Sequence, residues 1–262
     1  MYRINNSHGG ILKVHHSMVL SCEDSGQLLR VVGGANDASH CALSAGRLRK
    51  GRVMKKASAI TCVFLDIGGV LLNNGWDHIE RKRAAANFKL EWAEMEARHR
   101  LTFEIYEQGK LTIDEYLSLV VFHQKRPFTM AQFRDFMFAQ SKPFPKMIEL
   151  AAQLRATLGL KIAVVSNEGR EMNAYRVRKF KLDSLVDSFI SSSFVHLRKP
   201  DVNMFRLALD IAQVPASQAV FIDNTPMFVQ IAEGLGMKGI LHTGYESTRE
   251  ALSTLGLKAA VV

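Results

Sequence analysis

The sequence predicts an α/β fold: a doubly wound parallel sheet interrupted by an inserted α-helical subdomain. Three observations carry this. Short apolar runs recur at residues 60–65, 161–165, 189–192, 219–222 and 238–242. They are apolar almost throughout rather than alternating, as strands covered on both faces are. After the second run they alternate with amphipathic stretches of ten or more residues, the pattern of parallel βαβ units. Between the first and second runs, residues 76–141 are helical in pattern and contain no convincing strand.

Length and composition agree. A chain of 262 residues supports one large domain or two modest ones, and 47% hydrophobic with 23% charged residues is a globular composition. No apolar run approaches the roughly 18 residues of a membrane span, and the N-terminus shows no apolar block of signal-peptide length. Cys22, Cys41 and Cys62 stand far apart and form no metal-like pair, which fits a reducing, cytoplasmic setting. The formal charge of +9 suggests nucleic acid, but residues 1–57 hold nine basic residues against three acidic ones, so most of the excess lies there. The remainder needs no polyanionic partner, and neither nucleic acid nor membrane is expected as one. Residues 1–57, rich in Ser, Gly, His and Asn, read as a disordered or weakly ordered extension. Met54 offers an alternative initiation point.

In order, the first run ends in Asp66-Ile67-Gly68-Gly69, a carboxylate at a strand end followed by two turn-forming glycines. Helices are expected over 76–88, 92–106 and, from the capping box at Thr112–Glu115, to about 121. A fourth spans 129–139. Pro143 and Pro145 mark the return to the sheet, giving a core of 58–75 with 142–262 and a cap of 76–141. Then follow a helix at 146–158, a strand ending in Ser166-Asn167-Glu168, and a helix over about 169–186. After the third strand come Arg198-Lys199-Pro200 and a helix to about 212. The fourth strand ends in Asp223-Asn224, and a helix over 225–235 stops at Gly236. The last helix is expected to open at a capping box, Ser247–Glu250.

Asp66, Ser166 and Asp223-Asn224 thus lie at strand carboxyl ends, the edge where open parallel sheets bind ligands. With Lys199 they suit phosphoryl transfer through an aspartyl-phosphate: a carboxylate nucleophile, a hydroxyl for phosphoryl oxygens, an ammonium to offset charge, and oxygen ligands for Mg²⁺. The order Asp66-Ile-Gly-Gly-Val-Leu, Val-Val-Ser166-Asn167, Arg-Lys199-Pro and Phe-Ile-Asp223-Asn224 resembles the haloacid dehalogenase-like (HAD) hydrolase superfamily over about residues 58–262. The resemblance implies a Rossmann-like core with a helical C1-type cap. It implies Asp66 as nucleophile, Lys199 as the charge-balancing lysine, Ser166 and Asn167 at the phosphate, and Mg²⁺ held by Asp66, the Gly68 carbonyl, Asp223 and Asn224.

Two positions depart from the superfamily's phosphatases. Where these carry a second Asp, which protonates the leaving oxygen, this chain has Gly68; where a second acid often follows Asp223, it has Asn224. Loss of general acid help, worth about 10²–10⁴-fold, directs the expectation to substrates with good leaving groups, such as anomeric sugar, acyl or aryl phosphates. Glu168, His78 and Asp77 are candidate replacements. The expected function is a Mg²⁺-dependent phosphatase of a small phosphorylated metabolite. The alternatives are a metal-independent 2-haloacid dehalogenase and a weakly active scaffold that binds a ligand. Trp92, Phe103, Ile105, Tyr106 and Tyr116 are read as cap core before pocket lining.

Overall fold

The structure is a computed structural model that describes residues 60–258. The N-terminal extension expected over 1–57 lies outside the described residues. Five parallel strands, β1 (Cys62–Leu65), β2 (Lys161–Ser166), β3 (Ser188–Ser191), β4 (Ala219–Asp223) and β5 (Lys238–Leu241), form one sheet in the order β3-β2-β1-β4-β5. β1 is central, so its residues are covered on both faces. Val63 and Leu65 enter one apolar cluster, with Met147, Leu150 and Leu154 of α5 (Pro145–Leu158) and Leu252 of α10 (Tyr245–Thr254). Cys62 and Phe64 enter the opposite cluster, with Met204, Phe205 and Ala208 of α8 (Val202–Ala212) and Ala232 of α9 (Pro226–Gly234). A side chain that alternates faces but is apolar on both is the reason the run shows no polar alternation.

Between β1 and β2 four helices pack on one another: α1 (His78–Asn87), α2 (Trp92–Glu107), α3 (Ile113–Val120) and α4 (Met130–Ala139). Their own apolar cluster is centred on Trp76, Tyr106, Tyr116 and Phe133. The Trp76 indole donates to the Tyr116 hydroxyl at 2.9 Å, and His99 Nδ1 lies 2.8 Å from the same oxygen, so the buried polar atoms satisfy one another. The insertion joins the sheet through a short ladder. Asn73 N–H donates to the Lys142 carbonyl (2.9 Å), Lys142 N–H to Asn73 Oδ1 (2.8 Å), and Phe144 N–H to the Leu71 carbonyl (2.8 Å).

Three boundaries differ from the sequence reading. The first insertion helix begins at His78 rather than Trp76, because the Asp77 side chain accepts from Ile79 and Glu80 N–H and caps it. The helix after β2, α6 (Arg170–Lys179), stops seven residues short of 186: Lys181 adopts left-handed backbone (φ 54°) and a 3₁₀ turn, Leu182–Ser184, follows. The last helix starts at Tyr245, with Gly244 as its N-cap. The Ser247 hydroxyl, expected to cap, instead donates to the Gly244 carbonyl from within the first turn. The remaining helix, α7 (Ser192–Val195), is a single turn directly after β3.

Candidate active site

The ends of β1, β2 and β4 and the segment before α8 bring four of the predicted side chains into direct contact. The Asp66 carboxylate accepts through Oδ1 from the Ser166 hydroxyl (2.5 Å) and from Ile67 N–H (2.8 Å), and Oδ2 faces Lys199 Nζ at 3.1 Å. Lys199 Nζ also donates to Asp223 Oδ2 at 2.5 Å, and Asp223 Oδ1 accepts from Thr225 N–H at 2.8 Å. Lys199 and Asp223 are fully buried. Burial would lower the Lys199 pKa, but the Asp66 and Asp223 carboxylates outweigh it and hold the ammonium above its usual value. Asp223 is pushed up to about 6, first by burial and then by the Asp66 charge, against the pull of Lys199. Two carboxylates around one ammonium leave the cluster with one negative charge in excess when all three are ionised.

Asn167 lines the cavity with Asp66 and also braces the lysine. Its amide oxygen accepts from Lys199 N–H (2.8 Å) and its amide nitrogen donates to the Lys199 carbonyl (2.9 Å). Both ends are engaged in bracing the lysine's backbone, so it positions Lys199. The two glycines after Asp66 also divide. Gly69 has φ +77°, and a Cβ there would lie 2.2 Å from the Asn224 amide nitrogen. The turn therefore needs glycine at 69, both for backbone conformation and for the approach of Asn224. Gly68 has no such requirement; a Cβ would sit 3.2 Å from Asn74 Oδ1.

Asp66, Gly68 and Asn224 line one cavity of about 330 Å³, roofed by the helical insertion. The groups expected at a divalent cation are two carboxylates, one carbonyl and one amide, all oxygen donors, which suits Mg²⁺. Among the described residues no group of three or more His, Cys, Asp or Glu side chains is placed to hold a metal, so the Gly68 carbonyl and Asn224 are needed to complete this set. The net negative charge of Asp66, Lys199 and Asp223 fits a cation as well.

The cavity contains residues that sequence reasoning missed. Arg176 of α6 is buried and bound on every arm: Nη1 to Glu168, Nε to the Ser141 hydroxyl (3.0 Å) and Nη2 to the Asn74 carbonyl (2.5 Å). It ties the loop after β1 and the end of β2 to the segment between α4 and α5. Glu168, a candidate proton donor, is the buried partner of this arginine; burial pushes its pKa up, opposed by Arg176. On the other side, Arg198 donates from Nε (3.1 Å) and Nη2 (2.8 Å) to Glu107 Oε2 at the end of α2, and from Nη1 to Glu104 (3.1 Å). Burial pushes Glu107 up to about 7, with Arg198 opposing and the Glu168 and Asp66 charges adding to the rise. Of the aromatic set, Phe103 and Tyr106 line the cavity, Tyr116 is insertion core, Ile105 is exposed, and Trp92 packs at the insertion's edge. His78 is exposed on α1, away from the lining.

The family model for haloacid dehalogenase-like hydrolases matches residues 60–236, more than half of the chain. The chain belongs to this family. Among curated relatives it is 28% identical, over 213 residues, to drimenol cyclase from Aspergillus calidoustus; the match covers 76% of this chain but only 37% of that protein. A HAD family enzyme from Bacteroides thetaiotaomicron, solved with magnesium and inorganic phosphate, superposes with a TM-score of 0.56 at 22% identity, covering 69% of this chain and 92% of that one. An L-2-haloacid dehalogenase superposes with a TM-score of 0.52 at 20% identity, covering 69% and 85%. At these identities the superpositions establish the HAD fold, the parallel sheet with its helical regions, and do not separate phosphatase from dehalogenase.

Proposed function

We propose that this HAD-like hydrolase is a Mg²⁺-dependent phosphatase of a small phosphorylated metabolite, acting through a phosphorylated Asp66. The observation that supports this most is Lys199, buried and held between Asp66 and Asp223. A phosphoryl dianion and an attacking carboxylate repel each other, and an ammonium fixed beside the nucleophile offsets that repulsion without reorganising. The Ser166 hydroxyl and Ile67 N–H hold Oδ1 of Asp66. Oδ2 is left beside Lys199 as the oxygen that attacks phosphorus. Ser166 then becomes a donor for a phosphoryl oxygen, and Asn167 keeps Lys199 in place. Asp66, Asp223, Asn224 and the Gly68 carbonyl would hold Mg²⁺, which supplies further neutralisation of phosphoryl charge. A cavity of about 330 Å³ with several charged lining residues suits a metabolite of sugar-phosphate size. This constellation is sufficient by itself for substrates whose leaving oxygen needs no proton.

One observation favours a second reading, a metal-independent 2-haloacid dehalogenase: the position two residues after Asp66 is Gly68, with no acid. Asp223 weighs against it, as a second buried carboxylate beside the site where a haloacid's own carboxylate must bind. The test is a panel of p-nitrophenyl phosphate, sugar phosphates and 2-haloacids, with and without Mg²⁺. Phosphate release that needs Mg²⁺ and falls by roughly 10⁴-fold or more in Asp66→Asn is expected. Halide release indifferent to chelator would overturn the phosphatase. No turnover by a folded, Mg²⁺-binding protein would leave the ligand-binding scaffold.

A further inference from the structure

We propose that Glu107, at the carboxyl end of α2 in the helical insertion, is the general acid and base of this site, doing from across the cavity what a side chain at position 68 does not. The inference rests on the phosphatase reading above and deepens it.

In phosphoryl transfer the attacking and leaving oxygens lie roughly in line through phosphorus. With Asp66 attacking from the sheet edge, the leaving oxygen points away from that edge and toward the insertion. The ionisable residues that the insertion contributes to the lining are Asp77, Arg81, Tyr106 and Glu107. Arg81 is no acid, and its guanidinium is bound to Glu96 and to the Trp76 carbonyl. Tyr106 is a phenol that burial makes weaker still as an acid. Asp77 caps α1; partial burial is outweighed by hydrogen bonds from Glu80 and Ile79, so it stays below the usual carboxylate range and is ionised. Glu107 remains.

Its surroundings fit a group that gains and loses a proton. The partner Arg198 meets only Oε2 and is shared with Glu104, leaving Oε1 without a protein hydrogen bond. The charged groups that act on Glu107 are Arg198 before α8, Glu168 after β2 and Asp66 after β1. One cation against two anions, together with burial, brings the carboxyl to about 7, where a general acid and base are both well populated near neutral pH. Glu168 does not compete: it reaches the cavity from the sheet edge, on Asp66's own side, and a fully buried arginine holds it.

The steps balance. Asp66 Oδ2 forms a bond to phosphorus as the bond from phosphorus to the ester oxygen breaks. That oxygen keeps the electron pair and takes the proton of Glu107, leaving an alcohol, an aspartyl-phosphate and a Glu107 carboxylate. Water then attacks from the vacated side, giving its proton to Glu107. The bond between phosphorus and Asp66 breaks, restoring both carboxyl groups and releasing inorganic phosphate. With this donor, alkyl phosphate esters join the good leaving groups as substrates.

The test uses the full chain with Mg²⁺, p-nitrophenyl phosphate and an alkyl ester such as a sugar 6-phosphate. In Glu107→Gln, kcat/KM for the alkyl ester should fall by roughly 10²–10⁴-fold and for p-nitrophenyl phosphate by far less, because p-nitrophenolate leaves unprotonated. The variant should also give a burst of p-nitrophenolate equal to the enzyme, then slow turnover, as aspartyl-phosphate waits for a base. For the wild type, kcat/KM on the alkyl ester should decline above about pH 7. Equal losses on both substrates without a burst would make Glu107 a strut for Arg198 only. No loss on either would also overturn the proposal. If Glu107→Gln does not fold, Glu107→Asp and the wild-type pH profile decide it. A wild type that releases phosphate from neither substrate sinks the phosphatase reading itself, a result distinct from an active wild type indifferent to residue 107.

Discussion

Two arginine–carboxylate pairs flank the cavity, Arg176–Glu168 at the sheet edge and Arg198–Glu107 where the segment before α8 meets the helical insertion, and the two are built differently. Arg176 and Glu168 are both buried, and all arms of the arginine are engaged by the protein. Arg198 is partly exposed, divides itself between Glu107 and Glu104, and leaves Oε1 of Glu107, a residue of the cavity lining, without a protein hydrogen bond. A pair of the first kind fixes backbone segments in place. A pair of the second kind leaves its carboxylate free to change protonation state. Similar side chains thus give rigidity on the wall that holds Asp66 and adjustable charge across the cavity from it.

Breaking each pair in turn should show the largest contrast. Arg176→Met strands a buried carboxylate and should lower unfolding free energy by roughly 3–5 kcal/mol, measured by urea denaturation. Arg198→Met should lower it by about 1 kcal/mol or less, because Glu107 can take up a proton and the arginine is partly solvated. Comparable losses would mean that the two walls do not differ.

The second contrast is in pH. Glu107 is raised from 4.5 to about 7 in the folded chain, so the folded state holds a proton that the unfolded state has released. Stability contributed by this group is therefore full below about pH 4.5 and is lost as pH rises to about 7, by up to roughly 3 kcal/mol. The difference between wild-type and Glu107→Gln stability should change across that window and be flat on either side. A difference that does not vary with pH would place the Glu107 pKa at its ordinary value.

The smallest effect sharpens the comparison by moving the acid from one wall to the other. A Cβ at Gly68 would lie 3.2 Å from Asn74 Oδ1 and 3.7 Å from Asn74 Cα, so a side chain there fits once the end of the Asn74 side chain gives by a few tenths of an ångström. Gly68→Asp should leave stability within about 1 kcal/mol. In the wild type it should change kcat/KM on alkyl phosphates by less than about tenfold, and in Glu107→Gln it should restore roughly 10²-fold. A large gain in the wild type would mean that the proton donor is missing there after all.

The same division explains what could be read in the sequence. Asp66, Ser166 and Asp223 were legible because a parallel sheet brings strand carboxyl ends to one edge whatever the helices do. Lys199 follows from its place just before a proline and a helix on that edge. Arg176 carried no signal: with Arg178 and Lys179 beside it, it looks like part of a solvated basic helix end. Glu107 is one of several acids on α2, and only the packing of α2 against the segment around Arg198 selects it. The early end of α6 was hidden because a lysine, not Gly or Asn, takes the left-handed position at 181. Periodicity reports which elements exist and which faces are apolar, whereas tertiary packing decides which polar residue of a helix enters a site.

The contacts of the α2 carboxyl end with α7 have a mechanical consequence. The Ser192 hydroxyl donates to the Glu107 carbonyl (2.7 Å) and accepts from Glu168 N–H (2.9 Å), and His196 Nδ1 meets the Gln108 carbonyl at 2.8 Å. The insertion is therefore tied to the sheet at this seam, at the ladder around Asn73 and Lys142, and on α6, where Tyr175 stacks against Phe138 and Met172 enters the insertion's apolar cluster. At the seam one hydroxyl is shared by the backbone of Glu107 and the backbone of Glu168. The end of α2 is thereby coupled directly to the end of β2, so a displacement of the insertion there is transmitted to the sheet edge through a single side chain.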